Sequence, residues 1–382
     1  MILKNLKIAG RGPEEQDITV DGEIISQIKS SQHNKETTEE INIDFSGCIA
    51  FPGLINSHDH LEFNIYPRLG HKIYEDYVEW GDDIHLKDKK LIDTIENIPV
   101  ALRMKFGIIK NLICGVTSVA HHGSYNSVLD ESPVNIITKG TCIHSVRLGG
   151  KWKVKINLPD NNEPYVIHVG EGINLESKKE IDELIRWNLF KRKLAGIHGI
   201  AMTEEQSKNF SALIWCPDSN LFLFEKTADI NSLKKFTKIL FGTDSTLTAD
   251  RSMQVNLRKA RKLGMLSDEE LFHSVTSNAA EFWEMKDLGV IAEGKKADLV
   301  ISAKRKEDQF DSFYETDSED ILLIVKNGKI ILFDAMLKNV LISILKNIND
   351  FREFTVRGIS KFTEYDVSGI IKQINKFIPF EL

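Results

Sequence analysis

From Phe51 onward short apolar runs alternate with helical patterns, and that alternation restricts the chain to an α/β fold built on parallel strands. Val100, Met104, Ile108 and Leu112 recur every four residues, one face of a helix, and Gly115 follows as its expected C-cap. Val116–Ala120 then reads as a strand running into His121 and His122. Tyr165–Ile167 is a strand ending at His168. Ser177 with Glu180 reads as a capping box opening a helix whose buried face is Ile181, Leu184, Ile185 and Leu189, stopped by Gly196. A short strand leads to His198. Ala212–Trp215 and Ile239–Phe241 are further strands, the second ending in Gly242-Thr243-Asp244. Ser267 and Glu270 form a second capping box. His121, His168, His198 and Asp244 each follow a strand and precede a helix, the position where β/α barrels gather catalytic residues. The pattern does not separate a closed barrel from an open doubly wound sheet.

The two ends differ in texture from the middle. Ile18–Val20, Asp21-Gly22 and Ile24-Ile25 predict a hairpin with a type I′ turn. Ala297–Ile301 and Ile321–Val325 are strands, and Asn327-Gly328 is a second hairpin signal. The expected organisation is therefore a small β domain from 1–50 plus 288–336, a β/α unit over 51–287, and a helical extension over 337–382. That extension either packs on the β/α unit or mediates self-association as a homo-oligomer. A net charge of 49 − 56 = −7, with no basic stripe, argues against a nucleic-acid partner. No window approaches 18 consecutive apolar residues and the N-terminus lacks a signal-peptide pattern, so no membrane partner and a cytoplasmic location are expected. Cys48, Cys114, Cys142 and Cys216 form no C-x-x-C pair and read as reduced core thiols.

The chemistry begins at His58-Asp59-His60. In an extended segment residues two apart point to one side, so both imidazoles face one point, as two ligands of one ion require. Asp59 points the other way, toward the backbone or a supporting role. His168 adds an imidazole and Asp244 a hard oxygen ligand. Three imidazoles and one carboxylate leave room for a water, whose pKa the ion would bring from 15.7 toward roughly 7. Glu171, three residues after His168, is placed to take that water's proton and pass it to a leaving amine, as C–N hydrolysis demands. His198 reads as the group that polarises the substrate. Taken singly each feature has an ordinary structural reading; in order on successive strand ends they point to one site. Glu62, Arg68 and Trp80 lie in the loop after the first strand, where a substrate site is shaped, although solvated charges are the default. Trp215 and Phe222 read as core residues, and at least one of His121 and His122 as structural.

These motifs resemble the amidohydrolase superfamily over nearly the whole chain. Pro52-Gly53-Leu54-Ile55-Asn56-Ser57-His58-Asp59-His60 is similar to its first-strand motif, Gly115–Val119 to its second-strand entry, and His168-Val169-Gly170-Glu171 to the H-x-x-E of its deaminase branch. Cys216-Pro217-Asp218-Ser219-Asn220-Leu221 resembles a motif of the guanine deaminase, adenosylhomocysteine deaminase and triazine hydrolase group. Gly242–Ser245, Thr276–Ala280 and Gly294–Leu299 are similar to the eighth strand and the return to a small β domain. The resemblance implies a distorted (β/α)8 barrel with a β-sandwich of both termini. It implies one divalent metal ion, zinc or alternatively iron, on His58, His60, His168 and Asp244, with Glu171 and His198 as catalytic groups beside Asp244. Binuclear members carry a carboxylated lysine on the fourth strand; Lys139, Lys151, Lys153 and Lys155 fit no such setting, which favours one metal. The expected activity is hydrolysis of a non-peptide C–N bond in a small molecule, by deamination of an amino-heterocycle. Ring-opening of a cyclic amide is the competing reaction, and a non-catalytic binding protein the competing class.

Overall fold

The computed structural model describes residues 1–31, 42–158, 163–343 and 345–382. In chain order the strands are β1 (Ile2–Ile8), β2 (Glu15–Asp21), β3 (Ile24–Ser30), β4 (Asn42–Pro52), β5 (Leu54–Asp59), β6 (Val116–His121), β7 (Asn135–Ile136), β8 (Thr141–Ser145), β9 (Tyr165–Val169), β10 (Leu194–His198), β11 (Ala212–Trp215), β12 (Lys238–Phe241), β13 (Leu299–Ala303), β14 (Ile321–Lys326), β15 (Lys329–Asp334), β16 (Arg352–Val356) and β17 (Ile359–Thr363).

The strands β5 to β12 are all parallel to their neighbours, in one arc β5-β6-β7 and another β8 to β12. The last strand meets the first where the Asp244 N–H donates to the His58 carbonyl at 3.1 Å. The result is a distorted (β/α)8 barrel, so its C-terminal strand ends open on one face, where the connecting loops collect. The strands are buried on every residue of β5, β6, β9, β10 and β11, the pattern parallel sheets with two covered faces require.

The chain termini build a nine-stranded sheet in the order β16-β17-β15-β14-β13-β4-β1-β2-β3. One apolar cluster joins Leu3, Ile18 and Ile25 at one end with Leu323, Phe333 and Phe362 at the other, so this β-sandwich region encloses a core of its own. Strand β4 ends at Pro52, and Gly53 alone separates it from β5, which hands the chain directly into the barrel.

Local signals sorted into those that hold and those that tertiary contacts replaced. Asn327 and Gly328 both take positive φ (48° and 73°), as a type I′ hairpin needs. The first hairpin also forms, but its central residues are Gly22 and Glu23, and only Gly22 has positive φ, the pattern of a II′ turn instead of I′. The Ser267–Glu270 capping box is present. The Ser177–Glu180 box is not: Asn174 caps that helix, accepting from the Ser177 N–H at 2.9 Å, and Glu180 turns inward to accept the Gly170 N–H at 2.7 Å. That helix ends at Trp187, which leaves Leu189 65% exposed and puts Gly196 inside β10. Cys48, Cys114 and Cys216 are buried free thiols, but Cys142 is an exposed residue and not a core one.

Among the described residues, the segment after 337, expected to be helical, holds α-helices at Lys338–Ile342 and Val367–Ile374 and a single 3-10 turn at Ile348–Asp350. Between them β16 and β17 form a hairpin that extends the terminal sheet. Arg357 and Gly358, at φ 45° and 85°, supply its turn, and the alternation of Phe354 and Val356 supplies its buried face. Lys361 on β17 is 1% exposed, donating to Asp334 Oδ2 at 2.7 Å and to the carbonyls of Glu319 and Ile321. Removing one partner of such a pair leaves a buried uncompensated charge. Lys361→Met is therefore expected to lower unfolding free energy by about 3–5 kcal/mol, read as a shift in the urea midpoint; a change within about 0.5 kcal/mol would contradict the assignment.

Candidate active site

His58, at the end of β5, and His60, one residue past it, lie on the same side of the strand, their ring centroids 4.9 Å apart. His168 at the end of β9 joins them. Its Nε2 lies 3.2 Å from His58 Nε2 and 3.3 Å from His60 Nε2. Asp244 Oδ1, just past β12, is 3.7 Å from His58 Nε2 and 4.0 Å from His60 Nε2. Two overlapping ligand sets result, His58/His60/His168 and His58/His198/Asp244, each with its atoms within 4.8 Å of one another. Imidazole nitrogens about 2.0–2.1 Å from a tetrahedral ion are separated by about 3.4 Å. The observed spacing therefore fits a divalent cation. Burial and mutual repulsion push the pKa values of His58 and His168 well down, so both are neutral lone-pair donors. The Nδ1–H of His168 donates to the His144 carbonyl, which fixes the tautomer that turns Nε2 inward.

His198 and Asp244 both take left-handed backbone conformations, φ 71° and 58°, a cost tolerated where the surroundings over-determine the residue. The surroundings here come from the Cys216–Leu221 segment. Ser219 Oγ donates to Asp244 Oδ2 at 2.9 Å, and Asn220 Oδ1 accepts from His198 Nδ1 at 2.7 Å. Asp218, next to them, is buried and takes Arg68, Lys259 Nζ and the Asp250 N–H. One helix, Pro217–Phe224, thus sets both strained residues. Burial opposes the charge on Asp244, but His198, His60 and the donors Ser245 and Ser219 outweigh it and hold the carboxyl below its ordinary range. Burial, with Asp244 and Glu180 nearby, pushes Glu171 well above the usual carboxylate range. Glu171 Oε1 faces His198 Nε2 at 3.5 Å. With Nδ1–H committed to Asn220, that Nε2 is the lone-pair side of neutral His198.

Asp59, between the two histidines, is fully buried and points away from them. It accepts from Asn111 Nδ2 at 2.7 Å, Asn64 Nδ2 at 2.8 Å and Lys110 Nζ at 3.1 Å. Lys110, 3% exposed, stands on the helix Val100–Leu112 and also donates to the Asp244 carbonyl at 3.1 Å. Sequence reasoning passed over Lys110. The signal was Asp59 itself, since a buried carboxylate between two imidazoles requires a counter-charge. It also passed over His144, whose carbonyl orients His168 and whose ring lines the cavity.

The cavity above these groups has a volume of about 420 Å³. His60, His168, Glu171, His198 and Asp244 form its floor. Trp80 lines it, anchored by Nε1–H to the Leu69 carbonyl at 2.8 Å. Arg68, Glu62, Trp215 and Phe222 do not line it. Arg68 pairs with Asp218 over the Phe222 ring, Glu62 faces His121 at 3.8 Å, and Trp215 is core. His122 packs its ring 4.5 Å from that of His168 while its Nε2 contacts the Ile143 carbonyl. Neither His121 nor His122 lines the cavity.

Residues 158–331 match the model of the amidohydrolase family. A 5-methylthioadenosine/S-adenosylhomocysteine deaminase of Pyrococcus furiosus is 23% identical, over 88% of this chain and 96% of its own. The fold is shared with two solved structures. Atrazine chlorohydrolase from Arthrobacter aurescens TC1, complexed with zinc, superposes with a TM-score of 0.60 at 18% identity, over 86% of this chain and 94% of its own. Aminofutalosine deaminase of Helicobacter pylori, in complex with methylthio-coformycin, gives a TM-score of 0.60 at 16% identity, over 86% and 99%. Residues 158–331 thus carry an amidohydrolase-family domain, and the motifs, fold and site geometry over the rest of the chain agree with that match.

Proposed function

We propose that this protein is a metal-dependent hydrolase of non-peptide C–N bonds that deaminates a small amino-heterocycle. The observation that carries the reading is the convergence of three imidazole nitrogens, with His168 Nε2 3.2–3.3 Å from the other two, beside a buried Glu171–His198 pair. His58, His60, His168 and Asp244 would hold the ion, with zinc the first candidate and iron the second. When bound, such a cation supplies Lewis-acid activation of a water at neutral pH. Asp244 keeps one carboxylate oxygen toward the imidazoles, while Ser219 and Thr248 hold the other. Glu171, its pKa raised by burial, can carry a proton to a heterocycle nitrogen or a departing amine. His198 Nε2 can take that proton across 3.5 Å and, as the cation, donate to charge developing on the substrate. The amine-bearing heterocycles in the names of the relatives support a substrate of this kind, and a cytoplasmic small-molecule enzyme fits the reading.

The proton role of Glu171 separates from metal holding. Glu171→Gln should retain metal by elemental analysis yet lose about 10²–10⁴-fold in ammonia release, whereas His60→Ala should lose both. Full turnover in Glu171→Gln on a true substrate would refute the assignment.

Lys110 should act on metal affinity from beneath the site. Lys110→Met is expected to weaken binding by about 10–100-fold in a competitive chelator titration. Neutralising both members, Asp59→Asn with Lys110→Met, should recover part of that loss, because no buried charge is then left unpaired. Equal affinity in Lys110→Met and the parent would sink the proposal.

A further inference from the structure

Resting on the deaminase reading above, we infer that the substrate of this cavity carries an arm without negative charge, and that Asp82 and Glu96 enforce the exclusion. The cavity wall opposite the barrel is built largely by two helices between β5 and β6, α1 (Tyr77–Lys87) and α2 (Lys89–Glu96). They contribute Tyr77, Trp80, Ile84 and Ile92, so the wall is aromatic and aliphatic and suits a flat heterocycle with an apolar arm.

The charges at the mouth are one-sided. Asp82 and Glu96 line the cavity and are exposed, and neither has an ion-pair or hydrogen-bond partner among the described residues. No lysine or arginine is among the described residues that line it. Its histidines away from the metal-ligand cluster are His85, at the mouth, and His144, whose cation is disfavoured by burial. Two arginines beside the wall, Arg103 near Tyr66 and Arg147 over Tyr77, are committed elsewhere. Arg103 donates to the carbonyls of Ile98 and Glu62, and Arg147 is held by Asp76 and Glu180 while lying over the Tyr77 ring. A carboxylate or phosphate on the substrate arm would therefore enter beside two carboxylates with no lysine or arginine among the described lining residues to receive it. A neutral thioether or alkyl arm meets apolar wall, and an ammonium arm meets the carboxylates. Specificity built by repulsion discriminates as effectively as specificity built by attraction.

The test uses metal-loaded protein and matched series of N-alkylated aminopurines and aminopyrimidines. Members of each share heterocycle and chain length but end in methyl, ammonium or carboxylate. Ammonia release should give kcat/KM for the carboxylate arm at least about tenfold below the methyl arm, with the ammonium arm at or above it. The gap should shrink with added salt, and should close by about tenfold in Asp82→Lys/Glu96→Lys. A single Glu96→Gln variant guards against misfolding of the double and should move the same ratio in the same direction. Turnover of the carboxylate arm equal to or above the methyl arm, or a gap that charge reversal leaves in place, would overturn this inference and leave the deaminase reading standing. Ammonia from no member of either series would defeat the deaminase reading, and this inference with it.

Discussion

One ammonium group stands where the first and last barrel strands meet. Lys110 reaches Asp59, between the two β5 histidines, and the backbone carbonyl of Asp244 after β12. It therefore spans the seam that the Asp244-to-His58 backbone bond closes. A buried ion pair of this kind gives little net stability, since desolvation offsets attraction. Its consequence is positional. If the seam opens, the strand ends that carry His58 and Asp244 lose a buried partner together, so the arrangement favours one register over looser ones.

Above that seam the geometry follows from crowding. Gly242 lies so close to His58 that a Cβ there would come within 2.7 Å of the His58 Cβ. The same proximity sets the Asp244 carboxylate against the imidazoles. Imidazoles with mutually facing lone pairs repel, and burial disfavours protonating His58 and His168. Such a cluster stores electrostatic demand for a cation in the fold itself. The helix Pro217–Phe224 then aims the two residues of positive φ, so side chains on one short element determine how Asp244 and His198 face each other.

The sandwich and the barrel are connected by the shortest link available, one residue between β4 and β5. The strand that enters the site is thus the continuation of a strand anchored in the terminal sheet, which paired strands hold on both sides. The opposite wall of the cavity, α1 and α2, lies outside this framework and is tied to it at the start of α1, where the Tyr77 N–H donates to the Glu171 carbonyl at 3.2 Å.

The βα alternation, the strand-end positions of His121, His168, His198 and Asp244, the Asn327-Gly328 turn and the Ser267 cap were all legible in the chain, because each depends on neighbours within a few residues. What followed from contacts between distant segments was not. Glu180 abandoned a local cap for the Gly170 N–H, and the Arg357-Gly358 hairpin joined a sheet whose edge is formed elsewhere. Lys110 looked like one more helix lysine until Asp59 was placed against it. Sequence by itself determined which groups can do the chemistry; tertiary structure alone decided which of them meet, because periodicity records the face of an element and carries no record of the partner across the core.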